Sequence, residues 1–390
     1  MTVRIAKQPV NIREKLAELE RPIGINGQAL LATDTPQQAF DLLGARNRNL
    51  IINGGMAISQ RGTSFSPAAT GIRYCLDRFY TQSISNNITI TQSSDAPTGF
   101  KNSLLLTMGT ATTLDFMRVG TTIEGFNFSS LAFGTSSAKT FTLSFWVKCS
   151  LTGSFGVGFR NGTSPDGTGT TTSRLASYTI NSANTWEYKT ITIPGATSQT
   201  WGSSNDLGLN IKWDIGDSAA RSGTVDATWQ TSNSTYPVGL TGGTKVANTT
   251  GATWQVTGVQ LEEGKVATPF EYRSFGEELA LCQRYFQSFG EKIYTVVGTG
   301  NAYQTTQCFA IVNLPVSMRS VPTLNTIGTW GWNDWTVSTV SGTLVLFTDG
   351  SDNNKVFIYS SSVSNLTYYR HYMLQAYNDA SARIQLSSEF

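Results

Sequence analysis

The chain has 390 residues, 39% hydrophobic and 14% charged, with 28 Lys and Arg against 26 Asp and Glu. That balance excludes charge-driven disorder, and a net charge of +2 with no basic cluster argues against nucleic acid as a partner. No run of 18 apolar residues predicts a membrane span, and the single histidine, His371, removes histidine triads and multi-histidine zinc sites.

Residues 1–48 carry the clearest helix signals. The N-terminal MTVRIAKQPVNIREK has charges where a signal peptide needs an apolar stretch, so the chain is expected to be made in a cytoplasm and to stay soluble. In NIREKLAELE, Ile12, Leu16 and Leu19 share one helix face, and Pro22 and Gly24 stop the helix. In TPQQAFDLLG, Thr35 and Gln38 have capping-box spacing, Pro36 takes the first helical position and Gly44 the C-cap, which places Phe40, Leu42 and Leu43 on a second short helix. Helices this short need a partner surface. It is either the chain's own β-domain or another protein, and docking onto another protein or another copy is the expectation.

Ser and Thr make up roughly a quarter of the chain and Gly numbers 37, a composition that reads as all-β with many tight turns. From residue 49 to 273 the period is two. FTLSFWVKC places Phe141, Leu143, Phe145, Val147 and Cys149 on one face and Thr142, Ser144, Trp146 and Lys148 on the other. LGLNIKWDI sets Leu207, Leu209, Ile211, Trp213 and Ile215 inward, with Asn210, Lys212 and Asp214 outward. YKTITIP and TWQVTGVQLEEG add strands, and the spacing predicts a jelly-roll β-sandwich. At 274–288, Ser274 and Glu277 open a linker helix. Beyond it IYTVVG, QCFAIVNLPV, TLVLFT and KVFIY predict a smaller C-terminal β-sandwich, with MRSVPTL as an edge or connector. The fold class expected is mainly β, in three parts: 1–48, 49–273 and 274–390. The four cysteines, at 75, 149, 282 and 308, form no C-x-x-C pair and are expected to be free and mostly buried.

NLIINGGMAISQRG at 49–62, YCLDRFY at 74–80, WQVTGVQLEEGKVATPFEYR at 254–273, ELALCQRYF at 278–286 and LPVSMRSVPTL at 314–324 together resemble tail-fibre and related virion proteins of tailed bacteriophages. The segment REKLAELERP…GARNRNLIING is similar to the virion-attachment segment of such proteins in phages of marine bacteria. The resemblance implies a jelly roll similar to carbohydrate-binding modules, carried on the virion surface, assembled in the host cytoplasm and commonly trimeric. It further implies other virion proteins, of tail or capsid, as partners of residues 1–48, and a host surface glycan as ligand.

Sugar recognition in a β-sandwich uses flat aromatic faces with amides or carboxylates beside them. Trp201 and Trp229 lie in polar loops, TSQTWGSSND and DATWQTSNSTYP, with Asn205, Asp206, Gln230 and Tyr236 near in sequence. Trp146 points away from its strand's apolar face. These rings either present sugar-binding faces or cover the sandwich edge or contact neighbouring subunits, whereas Trp213 and Trp254 read as core. GTWGWNDW puts Trp330 and Trp332 on one side of a strand and Trp335 at a turn, either as a receptor-binding tip or as a plug between domains or subunits. A glycan depolymerase would need two carboxylates across a cleft. Asp214 with Asp217, or Glu262 with Glu263, are candidates by sequence proximity alone, and the long repeats of β-helical tailspikes are missing. The expectation is therefore adhesion without catalysis, with no cofactor and no metal. DGSDNN at 349–354 lacks EF-hand spacing and reads as a plain turn. The alternative role is a structural one, as a capsid-decorating or head fibre or a tail component.

Overall fold

A six-stranded and a seven-stranded antiparallel sheet face each other over residues 64–263, in a computed structural model of the chain. The structure describes residues 48–65, 71–83, 87–111, 116–166, 171–232, 237–336 and 338–390. The expected N-terminal helices, with Ile12, Leu16, Leu19, Phe40, Leu42 and Leu43, lie outside the described residues, as does Tyr236.

The six-stranded sheet runs, in spatial order, Ser64–Phe65, Ile88–Ser93, Ser103–Met108, Thr253–Glu263, Phe141–Cys149 and Glu187–Ile193. The seven-stranded sheet runs Gln230–Ser232, Thr171–Ile180, Gly153–Arg160, Leu207–Asp214, Met117–Glu124, Phe79–Ser83 and Gly71–Tyr74. Neighbours in space are mostly not neighbours in sequence, the crossing pattern of a jelly roll. The alternation read from the sequence builds the core. Phe141, Leu143, Phe145 and Val147 from one sheet meet Val119, Val157, Ile211 and Trp213 from the other, with Trp254 fully buried beside them.

The outer face of the seven-stranded sheet is covered. Asn210, Lys212 and Asp214 face away from the core, as read, yet all three are fully buried. The loop at 161–166 and the described residues of 217–232 and 237–245 fold over that face, and the buried polar groups are paired there. Asn210 Oδ1 accepts from the Tyr80 hydroxyl at 2.7 Å, and its amide donates to the Pro165 carbonyl at 3.0 Å. Lys212 Nζ donates to Gln82 Oε1 at 2.6 Å, Lys245 to Asp214 at 2.6 Å, and Arg118 Nε to both oxygens of Asp217 at 2.9 Å. The outer face of this sheet is a second, polar interior.

The helix Phe275–Gln283 follows, opened by Ser274, whose side chain accepts from the Glu277 N–H at 3.3 Å. Beyond it lie a three-stranded sheet (Phe286–Gly290, Arg383–Ser387, Thr323–Ile327) and a seven-stranded one (Ser338–Val340, Trp330–Asn333, His371–Ala376, Val296–Gln304, Gln307–Asn313, Lys355–Ser360, Leu344–Phe347). These enclose their own core of Ala310, Val356, Ile358, Tyr372, Leu374 and Ile384, with Trp330 and Trp332 inside it. All four cysteines are free and buried. Residues 49–390 pack as one compact unit around these two cores.

The five segments that carry the sequence resemblance converge on the join between the cores. Asn49 Oδ1 accepts from the Leu261 and Ile51 amides at 3.1 and 2.9 Å, and its N–H donates to Glu271 at 2.7 Å. Gly54 permits a close approach here, since a Cβ on it would stand 2.0 Å from the Val259 carbonyl oxygen. Gln60 bonds Asp77, Arg78 pairs with Glu389, Arg284 and Tyr285 hold Glu124, and Arg319 donates to the Ser388 carbonyl at 2.7 Å. The motifs thus build a buried joint, and one of them, 254–273, also reaches the outer face of the six-stranded sheet through Gly258, Phe270 and Tyr272.

Candidate functional site

The tryptophans singled out in the sequence separate into three environments. Trp201 is only 6% exposed. Its ring packs edge-on against Phe133 at 4.9 Å and Trp229 at 5.1 Å, and both indole N–H groups are taken up internally, by the Ser198 carbonyl at 3.3 Å and the Pro194 carbonyl at 2.8 Å. Trp201 and Trp229 therefore close one edge of the sandwich as a plug, with Trp201 buried inside it and Trp229 partly exposed. Trp330 and Trp332 share a strand face, as expected from i, i+2 spacing, but that face is the interior: Trp332 is fully buried and Trp330 donates to the Ile327 carbonyl at 3.1 Å. Trp335 is the opposite case, 85% exposed with φ of 71°. Its turn is held by an Asn333 side-chain bond to the Trp335 N–H at 2.6 Å and an Asp334–Arg370 ion pair at 2.5 Å.

Trp146 has the surroundings that the sequence could not supply. It stands on the outer face of the six-stranded sheet, paired in register with Tyr188 on one side and Thr257 on the other. The Trp146 and Tyr188 rings lie 5.3 Å apart at 49°, and Tyr188 is 43% exposed. Trp186, two residues before Tyr188, faces the same way and donates to Asp95 Oδ1 at 3.2 Å, while Lys148 donates to Asp95 Oδ2 at 2.7 Å. The Lys148 bond, aided by Trp186 and Gln255, holds the Asp95 carboxyl below its ordinary range. Burial raises the Tyr188 hydroxyl above its ordinary value.

On the other side the row continues through a glycine bulge. Gly258 has φ of 60°, and a Cβ there would meet Phe100 Cζ at 2.6 Å and Trp146 Cδ1 at 3.1 Å, so both rings close over bare backbone. Phe100 packs on Phe270 at 5.0 Å and on Tyr272, itself 63% exposed, at 5.6 Å. The segment after Glu263 brings Phe270 and Tyr272 there and covers the rest of this face. Glu262 accepts from the Thr268 N–H at 2.8 Å and hydroxyl at 2.6 Å, and Thr142 donates to the Gly264 carbonyl at 2.9 Å. What stays open is an aromatic row, Trp186–Tyr188–Trp146–Phe100–Tyr272, with the Asp95 carboxylate and the Lys148 ammonium at one end. Such a surface can stack the C–H faces of sugar rings and bond their hydroxyls.

Sequence reading found Trp146 and missed its companions. The signal for Tyr188 was present: Ile191 and Ile193 face inward in YKTITI, so Tyr188, Thr190 and Thr192 must face outward. Asp95, Phe100 and Tyr272 lie in non-periodic loops and gave no such signal.

The carboxylates considered for catalysis are engaged elsewhere. Asp214 and Asp217 pair with Lys245 and Arg118, Glu262 with Thr268, and Glu263 with Lys139 at 2.8 Å. DGSDNN forms a turn in which Asp352 accepts from the Asn354 and Lys355 amides at 2.7 and 2.9 Å. Among the described residues no group of three or more His, Cys, Asp or Glu is placed to hold a metal ion.

No protein-family model matches the chain, and no curated protein matches it. Solved structures similar to it include a tailspike protein of bacteriophage CBA120 (12% identity, TM-score 0.29, 56% of this chain and 22% of that chain). A protein from Bacteroides thetaiotaomicron described as sugar-binding is 12% identical, with a TM-score of 0.33 over 55% of this chain and 100% of its own. A xylan-binding domain from Paenibacillus barcinonensis is 9% identical, with a TM-score of 0.25 over 57% of this chain and 100% of its own. At these scores the ligand and the role rest on the chain's own residues.

Proposed function

We propose that the protein is a surface protein of a tailed-phage virion that adheres to host glycan through the aromatic row of its jelly roll. The observation that carries the binding role is the solvent-facing Trp146–Tyr188 pair with Trp186, Lys148 and Asp95 beside it. The five-segment resemblance to phage virion proteins supports the particle role, with residues 1–48 docking to other virion proteins and a homotrimer presenting several copies. Weak single sites then give strong attachment through multivalency. Engagement of the named carboxylates in ion pairs and hydrogen bonds supports binding without turnover.

A glycan array probed with the intact protein tests the ligand role. Binding to a glycan class that is lost in Trp146→Ala and Tyr188→Ala is expected. Unchanged binding in both variants would overturn the assignment to this face, and release of shortened glycan would replace adhesion with hydrolysis. Electron microscopy of particles labelled on residues 1–48 tests the virion role, which fails if no label appears on tail or head.

A further inference from the structure

The C-terminal sandwich carries a second aromatic surface that neither the motifs nor the platform uses. In Gln307–Asn313 the residues Cys308, Ala310 and Val312 enter the core, which turns Phe309 and Ile311 outward. In Lys355–Ser360, Val356 and Ile358 are inside, so Phe357 and Tyr359 face out. Register places Phe309 against Tyr359, and Phe347 against Phe357. Phe309 and Phe357 then lie side by side, centroids 6.4 Å apart and planes 24° apart, forming a nearly flat floor. Tyr303 and Phe347, 60% and 50% exposed, rise at its sides around a cavity of about 430 Å³.

From this geometry we infer that the groove is a second, separate sugar-binding site, which takes an uncharged pyranose bearing a methyl group or a continuous apolar face, such as a 6-deoxyhexose or an N-acetylhexosamine. The volume is that of a small-ligand pocket, which is typically aromatic-lined with a few polar groups. Here the lining residues that carry polar groups are Gln307, Tyr303 and Tyr359, and most of the lined surface is apolar. Among the described residues none that lines the groove is charged, so a uronic or sialic acid would bring a carboxylate without a partner inside it. Lys355, at the end of its strand, stands 5.9 Å from the Phe357 ring. A second copy of the chain is a poorer occupant. Two half-exposed rings and three less exposed ones, of ~200 Å² each, offer roughly 400 Å², about half of the ~800 Å² per partner in a stable interface.

Saturation-transfer NMR on the full chain tests this, using methyl glycosides of N-acetylglucosamine, a 6-deoxyhexose and glucuronic acid. Transfer to the methyl and ring C–H protons of the two neutral sugars is expected, with none to the acid. Tyr303→Ala and Phe347→Ala, both at exposed positions, should each weaken binding about tenfold with the fold unchanged by circular dichroism. Transfer that persists in both variants, or none to either neutral sugar, overturns the site. Self-association in sedimentation that Phe347→Glu abolishes would also overturn it, by making a second copy the occupant.

Discussion

Trp146 and Gly258 act on the same surface by different means, and the difference can be measured. Trp146→Ala removes a stacking face at a partly exposed position, so it should weaken glycan binding by about 2 kcal/mol, roughly thirtyfold in Kd, with little change in melting temperature. Gly258→Ala should lower both. Its φ of 60° strains any side chain, and the new methyl would meet Phe100 at 2.6 Å. A loss of about 1–2 kcal/mol in stability is expected alongside weaker binding, read by calorimetry and titration on the same sample. Asp95 sets the pH dependence at this scale. Its hydrogen bond from Lys148 depresses the folded-state pKa, so its contribution is complete above the ordinary carboxylate range and is lost only as pH falls below it. Glycan affinity measured from pH 7 downward should stay flat through the ordinary carboxylate range, around pH ~4, and decline only beneath it. A decline centred near pH 6 would assign the titration to another group.

At the scale of strands and helices, period two told which side of a strand each residue takes, and it could not tell what covers that side. Phe141–Cys149 and Leu207–Asp214 were both read with the correct alternation. On the first, Trp146 and Lys148 remain partly exposed; on the second, Asn210, Lys212 and Asp214 are sealed beneath chain that arrives from 161–166, 217–232 and 237–245. Burial of an outer face depends on such non-local loops, which have no period. The same limit hid the aromatic plug, since Trp201 and Trp229 sit in loops whose polar composition suggested exposure. Capping chemistry is local and was legible: Ser274 does open the helix Phe275–Gln283. Ser274→Ala should cost about 1 kcal/mol, with Ser274→Asp close to neutral, and a melting temperature unchanged by the alanine would remove the cap's role. Glu124 at the end of its strand gives the acid counterpart. Burial works to raise its carboxyl, but hydrogen bonds from Arg284 and Tyr285 and the Arg284 charge outweigh that and hold it below the ordinary value. Stability from this group is therefore present above the unfolded-state pKa and lost as pH falls through the lower folded one. Glu124→Gln should flatten part of the acid branch of the melting-temperature profile, and an acid branch identical to that of the unmodified chain would show that other carboxylates set it.

For the molecule as a whole, the question is whether two cores melt as one. The apolar contact between them is small, with Ile52, Ile58, Cys282 and Tyr285 as its buried members. Most of the joint is charged: Arg78 pairs with Glu389, Arg61 bridges Glu389 and Asp77, and the guanidinium of Arg78 lies 3.5 Å over the Tyr285 ring. The Arg78 and Glu389 side chains are 1% and 4% exposed, so removing one leaves the other charged and buried, at a cost of ~3–5 kcal/mol. The intact protein should show one calorimetric transition. Glu389→Ala should split it, with the smaller C-terminal sandwich unfolding first. Replacing both charges, Arg78→Met with Glu389→Leu, should restore a single transition, because an apolar pair removes the uncompensated charge while keeping the contact. Between the two transitions of Glu389→Ala the jelly roll remains folded, so glycan binding at the Trp146 row should survive there while neutral-sugar binding in the Phe309–Phe357 groove is lost. Simultaneous loss of both activities would mean that the joint is required by the jelly roll itself, and one unsplit transition would mean that the ion pairs do not couple the cores.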